Sequence, residues 1–385
     1  MTKSEKPSRR APGLRVLGIM SGTSIDSVDY ALCQVSDGGI RLMKHWPVDF
    51  PRALRRRLHQ AARGEASSHE TAQLHHDLGR FYARHALAPT LRARPQLVGL
   101  HGQTIFHHPD RPTPATWQLG EPAYLVEALR VPVVSNFRAG DMAAGGQGAP
   151  LATLFHLRVF GRRGRHVCVN NLGGISNVTS IDWIRGPAPR LVAFDTGPAN
   201  VLLDVAVRHF TGGHQSMDKD GQWAARGAAS EALLKRWLNH AYFQQRPPKS
   251  TGREIFGEPC FARALPEMQK AGLSRYDMLA TLTEFTARSL ALNYRLHLRS
   301  LPESVVLAGG GAANPVLVKA IRIALEQLSP SLQVATSDEL GWPRQSIEPA
   351  AFALLAWLRW RGQPGNLPAT TGARRAARLG QISEP

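Results

Sequence analysis

The sequence predicts a mixed α/β protein with two domains of related topology that face each other across a cleft. The chain has 385 residues, more than one compact domain usually needs. Each half opens with apolar runs typical of strands and continues with alternating helical and strand patterns. The loop within Gly18–Tyr30 is echoed by Leu172–Asn177, since both join two apolar strands through Gly, Ser and Asp or Asn.

Hydrophobic periodicity places the elements of both halves. In the first half, strands are predicted at Leu14–Met20, Val28–Val35, Ile40–Trp46, Gln96–Leu100 and Val131–Ser135, and helices at Leu54–Arg63, Thr71–Ala88 and Ala149–Phe160. In the second half, strands are predicted at His166–Asn170, Val178–Ile181, Leu191–Phe194, Ser304–Leu307 and Leu332–Ala335, and helices at Pro198–His209, Glu231–His240, Met278–Leu298, Pro315–Leu328 and Pro349–Trp360. The expected domains are a disordered basic leader (1–13), an N-terminal domain (14–148), a C-terminal domain (149–372) and a tail (373–385).

Composition restricts the class of protein. The net charge of +18 is spread along the chain without a zinc-finger or RNA-binding motif, so a solvated basic surface that attracts anionic substrates is favoured over nucleic-acid binding. Cys33, Cys168 and Cys260 are too few and too widely spaced for a disulfide framework or a zinc site. The charged N-terminus and the absence of a long apolar run predict a cytoplasmic protein without a membrane partner.

The first loop, with the sequence GIMSGTSIDSVDY, has two possible interpretations. It could be a hairpin turn that its Asp residues cap. It could instead hold an anion, because N–H groups of a Gly-rich turn point inward and Ser and Thr hydroxyls add uncharged donors. Asp26 and Asp29 would repel a polyphosphate unless a divalent cation lay between them, so this interpretation includes Mg²⁺.

A second glycine-rich run, Val305–Pro315, leads from a buried strand through three glycines into a helix start. Such a backbone can approach a flat ring or a phosphate closely, although a plain turn is the alternative. The chain has no GxxxxGK[ST] or GxGxxG motif, which disfavours the P-loop and dinucleotide-binding classes. The two loops together indicate an ATP site divided between two similar domains.

Nine strings support a more specific interpretation by their order. They are Gly18–Asp29, Leu100–Thr104, Asn136–Arg138 with Asp141, Ala144–Pro150, Asn171–Asn177, Phe194–Pro198, Lys249–Arg253, Ala308–Asn314, and Glu348 with Ala351–Ala353. In these strings the sequence resembles the 1,6-anhydro-N-acetylmuramic acid kinases from about Leu14 to about Gly372. The resemblance implies the sugar kinase, Hsc70 and actin superfamily, with two ribonuclease-H-like domains of actin and hexokinase type around a central cleft.

The resemblance also implies an activity. Such kinases use ATP and Mg²⁺, open the 1,6-anhydro ring of anhydro-N-acetylmuramic acid with water, and phosphorylate the released O6. The products are N-acetylmuramic acid 6-phosphate and ADP, in peptidoglycan recycling. A homodimer is usual for such kinases.

Site residues follow from the resemblance at the matching positions. Asp195 is expected to be the catalytic base, and the substrate-binding residues are expected to be His101, Gln103, Arg138, Asp141 and Glu348. The cofactor-binding residues are expected to be Gly22, Thr23, Ser24, Ile25, Asp26, Ser27, Val28, Asp29, Gly173, Gly174, Gly309, Gly310, Gly311 and Asn314, with Asp26 as the metal ligand.

Residue types alone leave other roles open for several of these positions. Asp195 could cap the following helix, and His101 could be an ordinary core histidine. Arg138 could form a surface salt bridge, while Glu348 could simply complement a helix dipole.

Three positions depart from the family pattern. Ser27 stands where the family usually has Gly, Asn136 where it usually has Asp, and Ala199 where it usually has Gly. Ser27 would weaken nucleotide binding if that position needed a positive φ, and Asn136 removes a charge near Arg138. Because none of the three is Asp195 or Asp26, activity is expected to persist. The alternatives are another sugar or carboxylate kinase of the superfamily, or a non-catalytic actin-like nucleotide-binding protein.

Overall fold

The structure, a computed structural model, describes residues 13–109 and 112–385, so most of the predicted leader lies outside the described residues. The strands are β1 (Leu14–Ser21), β2 (Ser27–Ser36), β3 (Gly39–Asp49), β4 (Leu97–His108), β5 (Ala115–Leu119), β6 (Val133–Ser135), β7 (His166–Leu172), β8 (Ile175–Asp182), β9 (Arg190–Pro198), β10 (Ser304–Ala308), β11 (Gln333–Thr336) and β12 (Gln381–Ser383). The helices are α1 (Arg52–Ala62), α2 (Ser68–Thr90), α3 (Ala123–Leu129), α4 (Phe137–Ala143), α5 (Thr153–Phe160), α6 (Asn200–Phe210), α7 (Glu231–Trp237), α8 (Ala241–Gln244), α9 (Arg253–Phe256), α10 (Glu258–Lys270), α11 (Arg275–His297), α12 (Pro315–Glu326), α13 (Ile347–Trp360) and α14 (Pro368–Thr371).

The chain divides into two compact units, which confirms the two-part α/β organisation. One unit holds the chain up to Val159 together with Ser346–Pro385, and the other is Phe160–Gln345. This division differs from the predicted boundaries, which assigned residues 149–372 to one domain and 373–385 to a tail. The last part of the chain belongs to the first unit because α13 packs on its sheet and β12 pairs with β6.

The sheet of the first unit has the order β12-β6-β4-β1-β2-β3, and β5 pairs with β4. Strands β1, β2 and β3 form the predicted antiparallel meander. Strand β4 then joins β1 in parallel and β6 joins β4 in parallel. Parallel neighbours end at the same edge of the sheet, so the loop after β1 lies near the end of the β4 core segment.

Helix α13 covers one face of this sheet at unusually short range. A Cβ added at Gly18 would lie 1.8 Å from the Pro349 carbonyl oxygen, and one added at Gly99 would lie 2.3 Å from the Phe352 carbonyl oxygen. Only glycine at both positions allows the helix main chain to rest on β1 and β4. The opposite face packs on α1, α2 and α3 through buried residues that include Leu17, Tyr30, Leu58, Leu74, Tyr82 and Leu125.

The second unit repeats the strand pattern of the first. Its sheet has the order β11-β10-β7-β8-β9, with β7, β8 and β9 antiparallel and β10 and β11 parallel to β7. In the first unit β6, β4, β1, β2 and β3 are arranged in the same way. The internal repeat predicted from the two echoing loops is therefore confirmed at the level of topology.

Two hydrophobic clusters stabilise the second unit. One packs α11 and α12 on the sheet through residues that include Leu290, Tyr294, Leu317 and Ile321. The other joins α6 to α11 and to the short helices between them, through residues that include Phe243, Phe256 and Phe285. Sequence periodicity missed β5, β12, α3, α4, α8, α9 and α14, because elements this short carry little periodic signal. It also missed α10, which has 13 residues. None of the helices in the described part of the chain has the length and apolar character that a bilayer crossing requires.

The close packing of α13 predicts a stability difference between two glycines of the first unit. Gly18→Ala places a methyl group on the Pro349 carbonyl and should lower the free energy of unfolding by about 3 kcal/mol. The control is Gly22→Ala, since a Cβ at Gly22 meets only the Ser24 hydroxyl at 3.9 Å and should change the stability by less than about 0.5 kcal/mol. Chemical denaturation measures both variants, and equal stabilities would contradict the packing argument.

Candidate functional site

The loop between β1 and β2 exposes hydroxyl groups and one carboxylate. Thr23, Ser24 and Asp26 are exposed, whereas the side chain of Ile25 is buried in the core at 2% exposure. The main chain turns back through a bond from the Ile25 N–H to the Gly22 carbonyl at 3.2 Å. Ile25 has a φ of 59°, which is unusual for a β-branched residue, so the surrounding contacts impose this loop conformation.

The predicted cofactor residues of this loop differ in what they can offer a ligand. Val28 is fully buried and faces the core, so like Ile25 it can offer a ligand only its main chain. Ser27 begins β2 and is not among the residues with positive φ, so its Cβ causes no backbone strain. Of the other two departures, Asn136 has a φ of 56°, which Asn tolerates better than most residues. Ala199 has a φ of −124° and a ψ of −107°, so it is not in the left-handed region that favours glycine.

The two carboxylates of the loop region differ in their surroundings. The Asp29 side chain is 20% exposed and pairs with His45 on β3, with 3.1 Å between Oδ1 and Nε2. The Asp26 side chain is 66% exposed, and its one ion pair within the described residues is with Arg55, at 3.4 Å. A single accessible carboxylate beside a hydroxyl-rich loop fits Mg²⁺, which binds proteins through one or two carboxylates and keeps water and phosphate as further ligands. Among the described residues, no cluster of three or more His, Cys, Asp and Glu forms a metal cage.

His101, Arg138 and Glu348 form a second part of the site in the first unit. His101 donates from Nδ1 to the Gly102 carbonyl at 2.7 Å, and its Nε2 accepts from Arg138 Nε at 3.0 Å. This pattern requires a neutral imidazole, and burial and then Arg138 lower the pKa of His101 well below its usual value. Arg138 also donates to the Gly148 carbonyl at 2.7 Å. His101 is thus buried as the residue type suggests, but it also orients Arg138.

Glu348 lies in the first turn of α13, and the charges of Arg138 and Asp29 act on its carboxyl group. Solvent reaches its side chain, although much protein surrounds it. Those surroundings and the Asp29 carboxylate raise the pKa of Glu348, while the Arg138 guanidinium lowers it. The Phe352 ring, one turn further along α13, lies 4.5 Å from the His101 ring. Helix α13 therefore brings Glu348 into the electrostatic neighbourhood of Arg138.

Gln103 and Asp141 make their hydrogen bonds inside the protein. Gln103 is fully buried and donates from Nε2 to the Gly22 carbonyl at 3.1 Å, so it anchors the first loop. Asp141 is also fully buried and accepts from the Gly148 N–H, the Asn366 amide and the Thr371 hydroxyl at 2.7–2.8 Å. Asp141 thus positions the chain around Arg138, whereas Gln103 Oε1 is buried and has no hydrogen-bond partner within the described residues. The predicted sugar contacts of both residues stay predictions.

Asp195 lies next to a β-bulge in the second unit. Ser176 pairs with Gly197 and Asn177 pairs with Asp195, which leaves Thr196 as an extra residue on β9. The Thr196 hydroxyl donates to Ser176 Oγ at 2.7 Å, and the Asn293 amide donates to the Thr196 carbonyl at 2.8 Å. Bulges redirect side chains and are common beside active sites. Here the bulge is held by buried hydrogen bonds.

The Asp195 carboxylate accepts a hydrogen bond from the Thr251 N–H to Oδ2 at 2.9 Å. Burial raises its pKa to about 6; Glu254 raises it as well, while the Thr251 N–H and Lys249 lower it. Helix α6 begins at Asn200 with Ala199 as the N-cap residue and no side-chain cap. The helix-cap interpretation of Asp195 is therefore wrong, and the carboxylate is suited to accept a proton near neutral pH.

The two-residue loop Gly173–Gly174 joins β7 to β8 and is fastened to the start of α6. Asn200 Nδ2 donates to the Gly173 carbonyl at 2.8 Å, and the Val201 N–H donates to the Gly174 carbonyl at 3.1 Å. An added Cβ would find no atom closer than 3.4 Å at Gly173 or 3.9 Å at Gly174. The fold itself therefore does not exclude a side chain here, and the glycines leave open a surface that a ligand can approach.

The triple glycine after β10 contains two different kinds of glycine. A Cβ at Gly309 would lie 2.3 Å from Asn171 Oδ1, and one at Gly311 would lie 2.7 Å from Leu172 Cβ. At Gly310 the nearest atom would be Asn200 Nδ2 at 3.9 Å. Gly309 and Gly311 are thus needed for packing, while Gly310 faces open space. Asn314 caps α12, because its Oδ1 accepts from the N–H groups of Val316 and Leu317 at 3.0 and 3.1 Å.

Sequence reasoning missed three contributors to these sites. Asn200 holds the Gly173–Gly174 loop, the Thr251 N–H donates to Asp195 Oδ2, and the Lys249 carbonyl accepts from the Asp195 N–H. The string Lys249–Arg253 is one of the nine that carry the resemblance, but a main-chain N–H donor has no side-chain signature that would assign it a role.

The comparisons with known sequences agree on one family. A sequence profile described as anhydro-N-acetylmuramic acid kinase matches residues 14–385. A relative of that name from Cyanothece sp. is 40% identical over 381 residues, which cover 96% of this chain and 99% of the relative. One from Prochlorococcus marinus is 42% identical over 386 residues, with 97% and 100% covered.

Among solved structures, the activator of the 2-hydroxyisocaproyl-CoA dehydratase from Clostridium difficile with bound ADPNP matches 91% of this chain and 96% of its own. The TM-score is 0.44 and the identity 11%. Because a sequence profile covers nearly all of the chain and full-length relatives are about 40% identical, the chain belongs to the anhydro-N-acetylmuramic acid kinase family and is a phosphotransferase.

Proposed function

We propose that this chain uses ATP and Mg²⁺ to open the 1,6-anhydro ring of 1,6-anhydro-N-acetylmuramic acid with water and to phosphorylate the released O6. The products are N-acetylmuramic acid 6-phosphate and ADP, and the role is peptidoglycan recycling in the cytoplasm, carried out by a homodimer. Family membership supports the kinase activity. The observation that carries the mechanism is the Asp195 carboxylate, redirected by the Thr196 bulge and poised near pH 6.

In the proposed reaction Asp195 acts as a general base on water. The water oxygen forms a bond to the anomeric carbon C1 while its proton passes to the Asp195 carboxylate. The C1–O6 bond breaks, O6 forms a bond to the γ-phosphorus, and the bond between that phosphorus and the ADP oxygen breaks. A carboxylate with a pKa of about 6 is ionised at neutral pH and remains basic enough to take this proton.

On the sugar side, Arg138 is the proposed partner of the lactyl carboxylate of the substrate. His101 Nε2 and the Gly148 carbonyl orient its guanidinium, so little freedom is lost when a carboxylate binds. Glu348, whose carboxyl pKa is raised, is the proposed acceptor for a sugar hydroxyl. We assign Gln103 and Asp141 positioning roles, because their polar atoms hold the first loop and the Gly148 turn.

In the first unit, the loop between β1 and β2 is proposed to contact the phosphates. In the second unit, Gly173–Gly174 and Gly310 are proposed to contact the nucleotide. Thr23 and Ser24 offer hydroxyl donors, and the three glycines leave their Cα atoms accessible. Asp26 would hold Mg²⁺, which when bound neutralises phosphate charge that develops during transfer. The serine at position 27 is compatible with this role because its backbone is not strained.

The activity itself is the first test. Purified protein with ATP and Mg²⁺ should release ADP only when the anhydro sugar is added, and the product should carry the phosphate on O6. The variant Asp195→Asn removes the proton acceptor with little change in shape and should lower kcat by about 10² to 10⁴-fold. A coupled assay for ADP measures both effects, and Asp182→Asn on β8 is the control.

Loss of ADP release in Asp182→Asn as well would show damage other than to the base. The proposed substrate would be wrong if the wild-type protein released no ADP with the anhydro sugar but did so with another sugar or a carboxylate in a substrate panel. Unchanged kcat in Asp195→Asn would overturn the proposed base.

The pH dependence follows from the raised pKa of Asp195. The base works only when it is ionised. The acid limb of kcat/KM should therefore level off above about pH 7 and fall as the pH drops through about 6. An ordinary aspartate with a pKa of 3.8 would keep its activity down to about pH 4. Initial rates between pH 4.5 and 8 distinguish these cases, provided that circular dichroism shows the fold to be intact throughout.

The difference between the glycines after β10 predicts a separation of binding from stability. Gly310→Ala should leave the midpoint of thermal unfolding within about 2 °C, because its Cβ meets open space, yet raise the KM for ATP by about 10-fold or more. Gly311→Ala should instead lower stability by about 1 to 3 kcal/mol through overlap with Leu172. Steady-state kinetics and thermal unfolding test both, and a normal KM for ATP in Gly310→Ala would contradict the proposed nucleotide contact.

A further inference from the structure

Lys249 is a buried amine in the segment between α8 and α9. The residue is 9% exposed, and its Nζ donates to the main-chain carbonyls of Tyr242 at 3.2 Å and Phe243 at 3.4 Å. The ammonium lies 4.6 Å from the centre of the Tyr242 ring and 5.8 Å from that of Phe194. Burial of a cation is costly unless hydrogen bonds and ring faces compensate, so its retention here requires an explanation.

The main chain around Lys249 holds Asp195 at two atoms. The Asp195 N–H donates to the Lys249 carbonyl at 3.1 Å, and the Thr251 N–H donates to Asp195 Oδ2 at 2.9 Å. A third contact comes from α8, where the Tyr242 hydroxyl donates to the Asp195 carbonyl at 2.8 Å. The segment 249–251 and α8 therefore surround Asp195.

The Lys249 side chain links the segment 249–251 to α8. It reaches the C-terminal carbonyls of α8, where a cation is favoured by the exposed carbonyl groups. His297 on α11 supports the same point, because its Nε2 donates to the Phe243 carbonyl at 2.7 Å. Without the ammonium, the segment 249–251 would lose its side-chain anchor to α8.

We propose that Lys249 is a positioning residue for the Asp195 base: its ammonium anchors the segment 249–251 to α8 and thereby holds the Thr251 N–H against the Asp195 carboxylate. The proposal rests on the proposed role of Asp195. Lys249 acts through the segment and not on the reacting atoms, because its Nζ contacts main-chain carbonyls, aromatic faces and, at 3.2 Å, the His297 Nε2.

Charges around Lys249 are consistent with this role. Asp195 faces it from β9, Tyr242 from α8 and His297 from α11, while Glu254 on α9 acts on Asp195. Burial lowers the pKa of Lys249 to about 8, and Asp195 raises it. Burial also lowers the pKa of His297, so at pH 7 the histidine is neutral while most of Lys249 is protonated. Loss of the Lys249 proton above pH 8 should weaken the anchor.

The kinetic test compares Lys249→Met with Lys249→Arg. Lys249→Met removes the anchor and should lower kcat by about 10- to 100-fold with less than about a twofold change in the KM for the sugar. Its acid limb should also move to higher pH, because the carboxylate loses both a nearby charge and a fixed N–H donor. Lys249→Arg keeps the charge and the donors, should retain kcat within about threefold, and should lose the decline of activity above pH 8.

The control is Lys270→Met, which removes an exposed lysine at the end of α10. It should leave kcat and both limbs of the pH profile unchanged. Wild-type values of kcat and of the acid limb in folded Lys249→Met would overturn the proposal. If Lys249→Met does not fold, Lys249→Gln takes its place in the comparison with Lys249→Arg, and a wild-type kcat and acid limb in the Gln variant would overturn it equally.

A measurement without substrate separates this proposal from the proposed function. The raised pKa of Asp195 means that the wild-type protein loses stability relative to Asp195→Asn as the pH rises from about 4 to about 6, whereas the difference should be constant below and above this range. Thermal unfolding of this pair against pH shows where the loss levels off, which is the titration midpoint of Asp195 in the folded protein. The same pair in a Lys249→Met background should show a midpoint at higher pH.

This measurement distinguishes failure of the positioning proposal from failure of the proposed reaction. A shifted midpoint in a protein that does not phosphorylate the anhydro sugar would support the positioning of Asp195 by Lys249 and refute the proposed reaction. An unshifted midpoint would refute the positioning role, whatever the protein phosphorylates.

Discussion

The approach of α13 to strands β1 and β4 is the contact on which the first unit depends. Glycine at positions 18 and 99 lets the helix main chain lie directly on the sheet, where any side chain would overlap the Pro349 or Phe352 carbonyl. The same contact places Glu348, in the first turn of the helix, where the charge of Arg138 acts on it, and it sets the Phe352 ring 4.5 Å from the His101 ring. A segment more than 200 residues away in sequence thus completes the surroundings of Arg138.

The second unit depends on buried hydrogen bonds around one irregular point of its sheet. The Thr196 bulge is held by Ser176 and Asn293, and Asn170 joins them through a bond to Ser176 Oγ at 2.6 Å. In a low-dielectric interior such bonds are strong when satisfied and costly when broken. The bulge is therefore held in place from both sides, and burial beside it raises the pKa of the Asp195 carboxyl.

Glycine serves two separate purposes in the candidate nucleotide loops. Gly309 and Gly311 have main-chain or side-chain atoms of the neighbouring β7–β8 hairpin against them, so the fold requires them. Gly22, Gly173, Gly174 and Gly310 have almost nothing near the place of a Cβ. A requirement for glycine at these open positions would come from a bound ligand. The sequence shows the same letter in both cases, and only the packing distinguishes them.

From the sequence alone follow the two-part α/β organisation, the repeated strand–loop–strand motif, the family and the candidate Asp195, because periodicity, glycine runs and ordered motifs are local features. The sequence did not reveal that Ser346–Pro385 joins the first unit, nor that Asp141 bonds to Asn366 and Thr371, 225 and 230 residues away. The tertiary structure alone decided those contacts and the anchoring of Asp195 through Lys249. The Asp141 bonds join side chains that are far apart in sequence, so no local pattern reveals them. The contacts of Asp195 involve main-chain groups, which are the same in every residue but proline and so carry no sequence signal.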